Sequence, residues 1–307
     1  MSSRLVTLSK PPSLPRLYAA ALRPRRSGRL RPRRSGRSAS LPDIELELDG
    51  VHVDRDHLAS YARVGGFPLR DRLPVTYPHV LTFPLQIRLM TDEAFPFPLA
   101  GMVHVRNVIT QQRPLDAGMR LRLRVRAERL AAHPKGAQVD LVSETYVDAD
   151  PVWVSRSTYL ARGAHAQAPD DASTTPVESA AVKPTAVDPA ELATGPAAVW
   201  RVAKTAGRRY ARVSGDFNPI HLHLLTARLF GFPGPIAHGM WTKARCLAAL
   251  DARLPDALTA DVSFLQPLPL PSTVRFAAHP THSHSWAFGV LPSGAGRAHL
   301  TGTVRPA

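Results

Sequence analysis

One cysteine, Cys246, stands in the 307 residues, so no disulfide can form within the chain. It falls in a segment with helical apolar spacing, where a lone thiol is expected to be a buried packing group rather than a nucleophile. No apolar run is long enough to span a bilayer, and no signal peptide with an apolar centre and a cleavage site is recognisable. The expected location is therefore the cytoplasm. A glycine-rich phosphate loop and a nucleophile elbow are also missing, which removes the sequence signs of nucleotide hydrolysis and serine-hydrolase chemistry.

Acidic residues are absent where basic ones are densest: residues 1–40 hold eleven Lys or Arg and no Asp or Glu. Of the net charge of +15, that segment supplies +11 and the other 267 residues only +4. The octapeptide Leu22–Arg29 recurs at Leu30–Arg37, which reads as a duplicated, disordered basic arm over residues 1–40. Located this way, the charge does not indicate a nucleic-acid-binding body, and no nucleic-acid partner is expected. A second polar stretch, residues 163–192, is rich in Ala, Pro, Ser, Thr and Asp and reads as a linker.

The most informative stretch runs Tyr210-Ala211-Arg212-Val213-Ser214-Gly215-Asp216-Phe217-Asn218-Pro219-Ile220-His221. Gly215 permits a tight turn, Asn218 suits a helix N-cap and Pro219 the first helical position. These features predict a helix from about Pro219, carried on by Leu222, Leu225, Leu229 and Phe230 and stopped at Gly231 and Pro233. Asp216 and His221 would then share one space as an acid–base pair, with the helix N-terminus keeping His221 neutral. Further on, Ile236-Ala237-His238-Gly239-Met240 leads into a second helix whose apolar face is Met240, Ala244, Leu247, Leu250 and Leu254. The N–H of Gly239, at that helix's start and without a side chain in front of it, suits a developing oxyanion. The pairs His221/His223 and His282/His284 offer too few convergent ligands for a metal site.

These two stretches, with Ala227 between them, resemble the hydratase-2 motif of the MaoC-like (R)-specific enoyl-CoA hydratases and 3-hydroxyacyl-thioester dehydratases. The resemblance implies an α+β hotdog fold, a long helix wrapped by a curved antiparallel sheet. It implies that Asp216 and His221 handle the reacting water and the C2 proton, that Asn218 orders them, and that Gly239 binds the thioester oxygen. Ser214 and His238, inside the matched stretches, are implied at the substrate. No cofactor or metal is implied, since the CoA or acyl-carrier arm belongs to the substrate.

The plan repeats. Tyr61-Ala62-Arg63-Val64-Gly65-Gly66 echoes Tyr210-Ala211-Arg212-Val213-Ser214-Gly215, and strand-like runs follow each copy: Met102–Thr110, Arg120–Glu128, Gln138–Tyr146 and Val152–Tyr159, then Thr259–Leu265, Thr273–Ala278, Trp286–Leu291 and Ala298–Val304. The chain should thus hold two tandem hotdog units, 41–162 and 193–307, paired as an internal pseudo-dimer and compatible with a further homodimer. The first unit lacks the Asp-x-Asn-Pro-x-His residues, so it is expected to shape the acyl channel while the second carries the chemistry. His79 is expected to be structural, in a place loosely like that of His238. The expected reaction is reversible hydration of a trans-2-enoyl thioester to the (R)-3-hydroxyacyl thioester, in fatty acid metabolism. Two other readings are a hotdog thioesterase, which would release free thiol, and a non-enzymatic protein that binds anionic surfaces through its arginine arm.

Overall fold

Alternation of apolar and charged residues builds the sheet. The computed structural model describes residues 3–22, 41–99, 101–164 and 187–307. The first half contains β1 (Arg4–Leu8), α1 (Leu14–Leu22), β2 (Ile44–Val51), α2 (Arg55–Gly65), α3 (Tyr77–Met90), β3 (Met102–Gln111), β4 (Leu121–His133), β5 (Gly136–Val147) and β6 (Asp150–Arg162). In β4, Leu121, Leu123 and Val125 are fully buried, while Arg124 and Arg126 on the other face pair with Glu47 and Glu144. This is the period-two pattern of a sheet with one covered face.

The second half contains α4 (Pro189–Thr194), β7 (Ala197–Val202), α5 (Ala206–Ser214), α6 (Leu224–Leu229), α7 (Gly239–Leu250), β8 (Leu258–Phe264), β9 (Ser272–His282), β10 (Ser285–Pro292) and β11 (Leu300–Pro306). All strands join one sheet in the order β1-β2-β4-β5-β6-β3-β8-β11-β10-β9-β7. Set β1 aside and the order is symmetric about the antiparallel β3–β8 pair. Each side is a five-stranded unit around its own helix, α3 or α7, which is the expected double hotdog. The matching helices α2 and α5 both end on a glycine in the left-handed region, Gly66 at φ 83° and Gly215 at φ 74°, a conformation that only glycine adopts without strain. Tyr61 and Tyr210, one on each, are buried with ring centroids 6.3 Å apart.

The junction of the units holds a buried ammonium. Lys243 of α7 is fully buried, and its Nζ donates to the Asn107 carbonyl (3.0 Å), Asn107 Oδ1 (2.6 Å) and the Ala260 carbonyl (3.0 Å). Beside it Arg106 of β3 makes a two-pronged bond to Asp261 of β8. A buried cation without its acceptors, or acceptors without their cation, costs more than a surface pair ever returns. Lys243→Ala is expected to destabilise the chain by on the order of 3 kcal/mol. The shift in the midpoint of chemical unfolding measures it.

Three expectations change here. Residues 4–22 are not part of a disordered arm: β1 pairs in parallel with β2, and α1 packs beside α3. The arginine repeat beyond Leu22 lies outside the described residues. The end of the expected linker is folded, since Asp188 caps α4 and Leu192 packs against Ala277, Leu291 and Ala298 of the second unit. His79 is the third residue of α3, whereas His238 caps α7, so the two are not equivalent. His79 is buried instead, with Nδ1 3.5 Å from Gln86 Nε2. Cys246 is buried as expected. Among the described residues no helix is long and apolar enough to cross a membrane.

Candidate active site

Asp216, His221 and His238 come from three pieces of backbone, yet one carboxylate oxygen of Asp216 and one ring nitrogen of each histidine lie within 4.8 Å of one another. Each piece is held by local bonds. Ser214 Oγ donates to the Tyr210 carbonyl (2.9 Å) and accepts the Asp216 N–H (3.2 Å), which turns the chain sharply after Gly215. Asp216 Oδ1 accepts the Asn218 N–H (3.2 Å), and Asn218 Oδ1 accepts the Ile220 N–H (3.4 Å) to open a single 3-10 turn, Pro219–His221. Gly207 of α5 lets that turn come close: a Cβ there would run into the His221 carbonyl oxygen.

The hydrogen bonds fix the histidine tautomers. His221 Nδ1 lies 2.8 Å from the Ile236 carbonyl. A carbonyl only accepts, so Nδ1 carries the proton and Nε2 of the neutral ring is bare. His238 Nε2 donates in the same way to the Asp216 carbonyl (2.9 Å), and its Nδ1 is buried with no partner. The two rings stack with centroids 3.6 Å apart and planes 27° apart. An ion bound by two imidazoles must lie in both ring planes, and rings stacked so closely share no such point nearby. The trio has the donor types of a metal site without its geometry.

Burial first, and then the neighbouring His238, lower the His221 pKa to about 3, while Asp216 pulls the other way. His238 is lowered to about 4, again by burial. Burial raises Asp216, opposed by His221, the Asn218 N–H and the Tyr18 hydroxyl. The neutral His221 is thus as expected, but its cause is not a helix dipole. In place of the expected helix stands a three-residue turn, then α6, whose Leu224, Leu225 and Leu229 face outward at 45%, 75% and 82% exposure.

Gly239 is the first residue of α7, with His238 as its N-cap, and the first N–H groups of a helix have no partner within it. A Cβ on Gly239 would sit 3.0 Å from the Phe264 ring. Gly239, Asp216, Asn218, His221 and His238 line one cavity of about 640 Å³. The first unit supplies part of the wall, including Val80, Phe83, Met102 and Tyr159. Asp216 keeps 27% of its side chain open, enough to meet a ligand there.

The other expected site residues hold the site together. Ser214 lines the cavity, but its proton is spent on Tyr210, so it positions Asp216 rather than donating to a ligand. Asn218 orders the Asp216 carboxylate through its backbone N–H, and His238 packs under His221. Sequence reasoning missed Gly207, the Ile236 carbonyl and Tyr18. Each acts through a contact distant in sequence, which no local pattern signals. Outside this trio, the described residues contain no cluster of three metal-ligand side chains.

The chain is similar to known proteins in sequence and in fold. The model of the MaoC like domain matches residues 181–289. The chain is 38% identical over 269 residues to 3-hydroxyacyl-thioester dehydratase X of Mycobacterium tuberculosis, covering 88% of this chain and 91% of that protein. A crystal structure of HtdX from the same organism superposes with a TM-score of 0.72 at 37% identity, over 86% of this chain and 100% of that one. A MaoC-like dehydratase from Phytophthora capsici, 19% identical, superposes with a TM-score of 0.65 over 88% and 96% of the two chains, a likeness of fold alone. Similarity along nearly the whole of both chains makes this protein a member of the MaoC-like dehydratase family, an enzyme of the hydro-lyase class.

Proposed function

We propose that the protein adds water reversibly across a trans-2-enoyl thioester, giving the (R)-3-hydroxyacyl thioester, with Asp216 and His221 as the reacting pair. The observation that carries this reading is the bare Nε2 of a neutral, buried His221 facing a carboxylate in a cavity with an unused helix N-terminus. Water held between Asp216 and His221 loses a proton to Nε2 as its oxygen attacks C3. The Gly239 N–H stabilises the negative charge that gathers on the thioester oxygen. The imidazolium, steadied by the Asp216 carboxylate, then returns its proton to C2 on the same face. One water is consumed, and the dyad ends as it began.

The chemistry draws on no metal or redox cofactor, and CoA or an acyl-carrier pantetheine arm enters as part of the substrate. The apolar wall from the first unit suits the acyl chain. A cytoplasmic place in fatty acid metabolism fits such a substrate. Purified protein is expected to remove the absorbance of the conjugated enoyl-CoA and to yield the (R) alcohol by chiral analysis. Release of free thiol without loss of the double bond would mean a thioesterase and end this reading.

A further inference from the structure

The helix α1, from a segment whose composition suggested a free arm, lies against the loop that carries Asp216. Tyr18 brackets that residue: its hydroxyl donates to the Gly215 carbonyl (3.3 Å) and accepts the Phe217 N–H (3.2 Å). Its ring meets Phe217 edge-on with centroids 6.4 Å apart. Leu14, one turn earlier on α1, occupies the space where a side chain on Gly215 would stand. These contacts join residues about 200 positions apart in sequence, and none of them belongs to the cavity wall.

We infer that Tyr18 is a positioning residue of the reaction, holding the Gly215–Phe217 backbone so that the Asp216 carboxylate faces His221. This rests on the hydratase reading above. The groups that face Asp216 are His221 and His238 from the second unit, Tyr18 from α1, Tyr159 from the first unit and Tyr210 from α5. The tyrosines are held neutral by burial, and the histidines are lowered. The Tyr18 hydroxyl therefore contributes hydrogen bonds rather than a charge, and both go to the backbone on either side of Asp216. A loop without it keeps its glycine turn but loses the bonds on both sides of Asp216.

Tyr18→Phe removes the hydroxyl and leaves the ring in place. We expect kcat to fall roughly tenfold with KM within about twofold, because the loss is of alignment and not of binding. The acid limb of the pH profile should move to higher pH, since the loosened loop weakens the Asn218 N–H bond that favours the ionised Asp216 carboxylate. Leu14→Ala, which thins the packing but keeps the hydroxyl, should leave that limb in place. Carbon NMR titration of the Asp216 carboxyl reads the same upward shift with no substrate present. An unshifted carboxyl titration or acid limb in Tyr18→Phe overturns the inference, as does an equal shift in Leu14→Ala. A wild type without hydratase activity sinks the functional reading instead, and the NMR arm still decides the role of Tyr18.

Discussion

His221→Ala and Asp216→Asn each lower kcat for hydration by about two to four orders of magnitude, the usual worth of a general acid–base group. The two act on one water and one proton, so the double variant should be little worse than the poorer single one. Asn at 216 can still accept the Asn218 N–H through its amide oxygen, so the loop keeps its shape while the charge that steadies the imidazolium is lost. Both groups must start unprotonated. His221 is already lowered to about 3, so protonation of Asp216, whose pKa burial raises, sets the acid limb. Activity should therefore fall as pH drops through that raised value, with no loss on the alkaline side from the dyad. Stopped-flow or steady-state rates across pH test this, and full activity in either single variant ends the mechanism.

The dyad was legible because its geometry is local. Gly215, Asn218 and Pro219 act within a few residues, and each does in the structure what its backbone chemistry dictates. Eight of the strands, β3 to β6 and β8 to β11, were legible from alternation, with ends moved by up to five residues where hairpins such as β4–β5 run past the last apolar position, whereas β2 and β7, the outer strand of each unit, were not foreseen. The helix after Pro219 was not. Leu222, Leu225 and Leu229 have helical spacing, but periodicity reports that a face is apolar and not that anything covers it. The chain breaks at Leu222 and His223, and α6 turns its leucines outward.

Residues 4–22 show a different limit. Arg4-Leu5-Val6-Thr7-Leu8 is a plausible strand by itself, yet its partner, β2, begins forty residues later. The arginine repeat between them dominates any reading by composition. The cause of His221's neutrality escaped for the same reason: burial is a property of the whole fold, whereas a helix dipole can be read from a motif. Tyr18, Gly207 and the Ile236 carbonyl all reach the dyad through contacts of this long-range kind.

Gly239→Pro is expected to lower kcat by about two to three orders of magnitude, the scale seen when one oxyanion donor is removed. Proline deletes the N–H and little else at this place. It is well tolerated at the first position of a helix, where no intrahelical bond is lost. The preceding residue must be extended, and His238 already is, at φ −67° and ψ 137°. A Cβ on residue 239 does press on Phe264 at 3.0 Å, so Gly239→Ala is the necessary partner variant: it adds the same crowding and keeps the donor. The ratio of the two rates isolates the N–H. If Gly239→Pro and Gly239→Ala fall equally, the glycine serves only to make room for Phe264, and the thioester oxygen is stabilised elsewhere. If proline alone collapses kcat while substrate still binds, the charge that develops on that oxygen is met by the first N–H of α7.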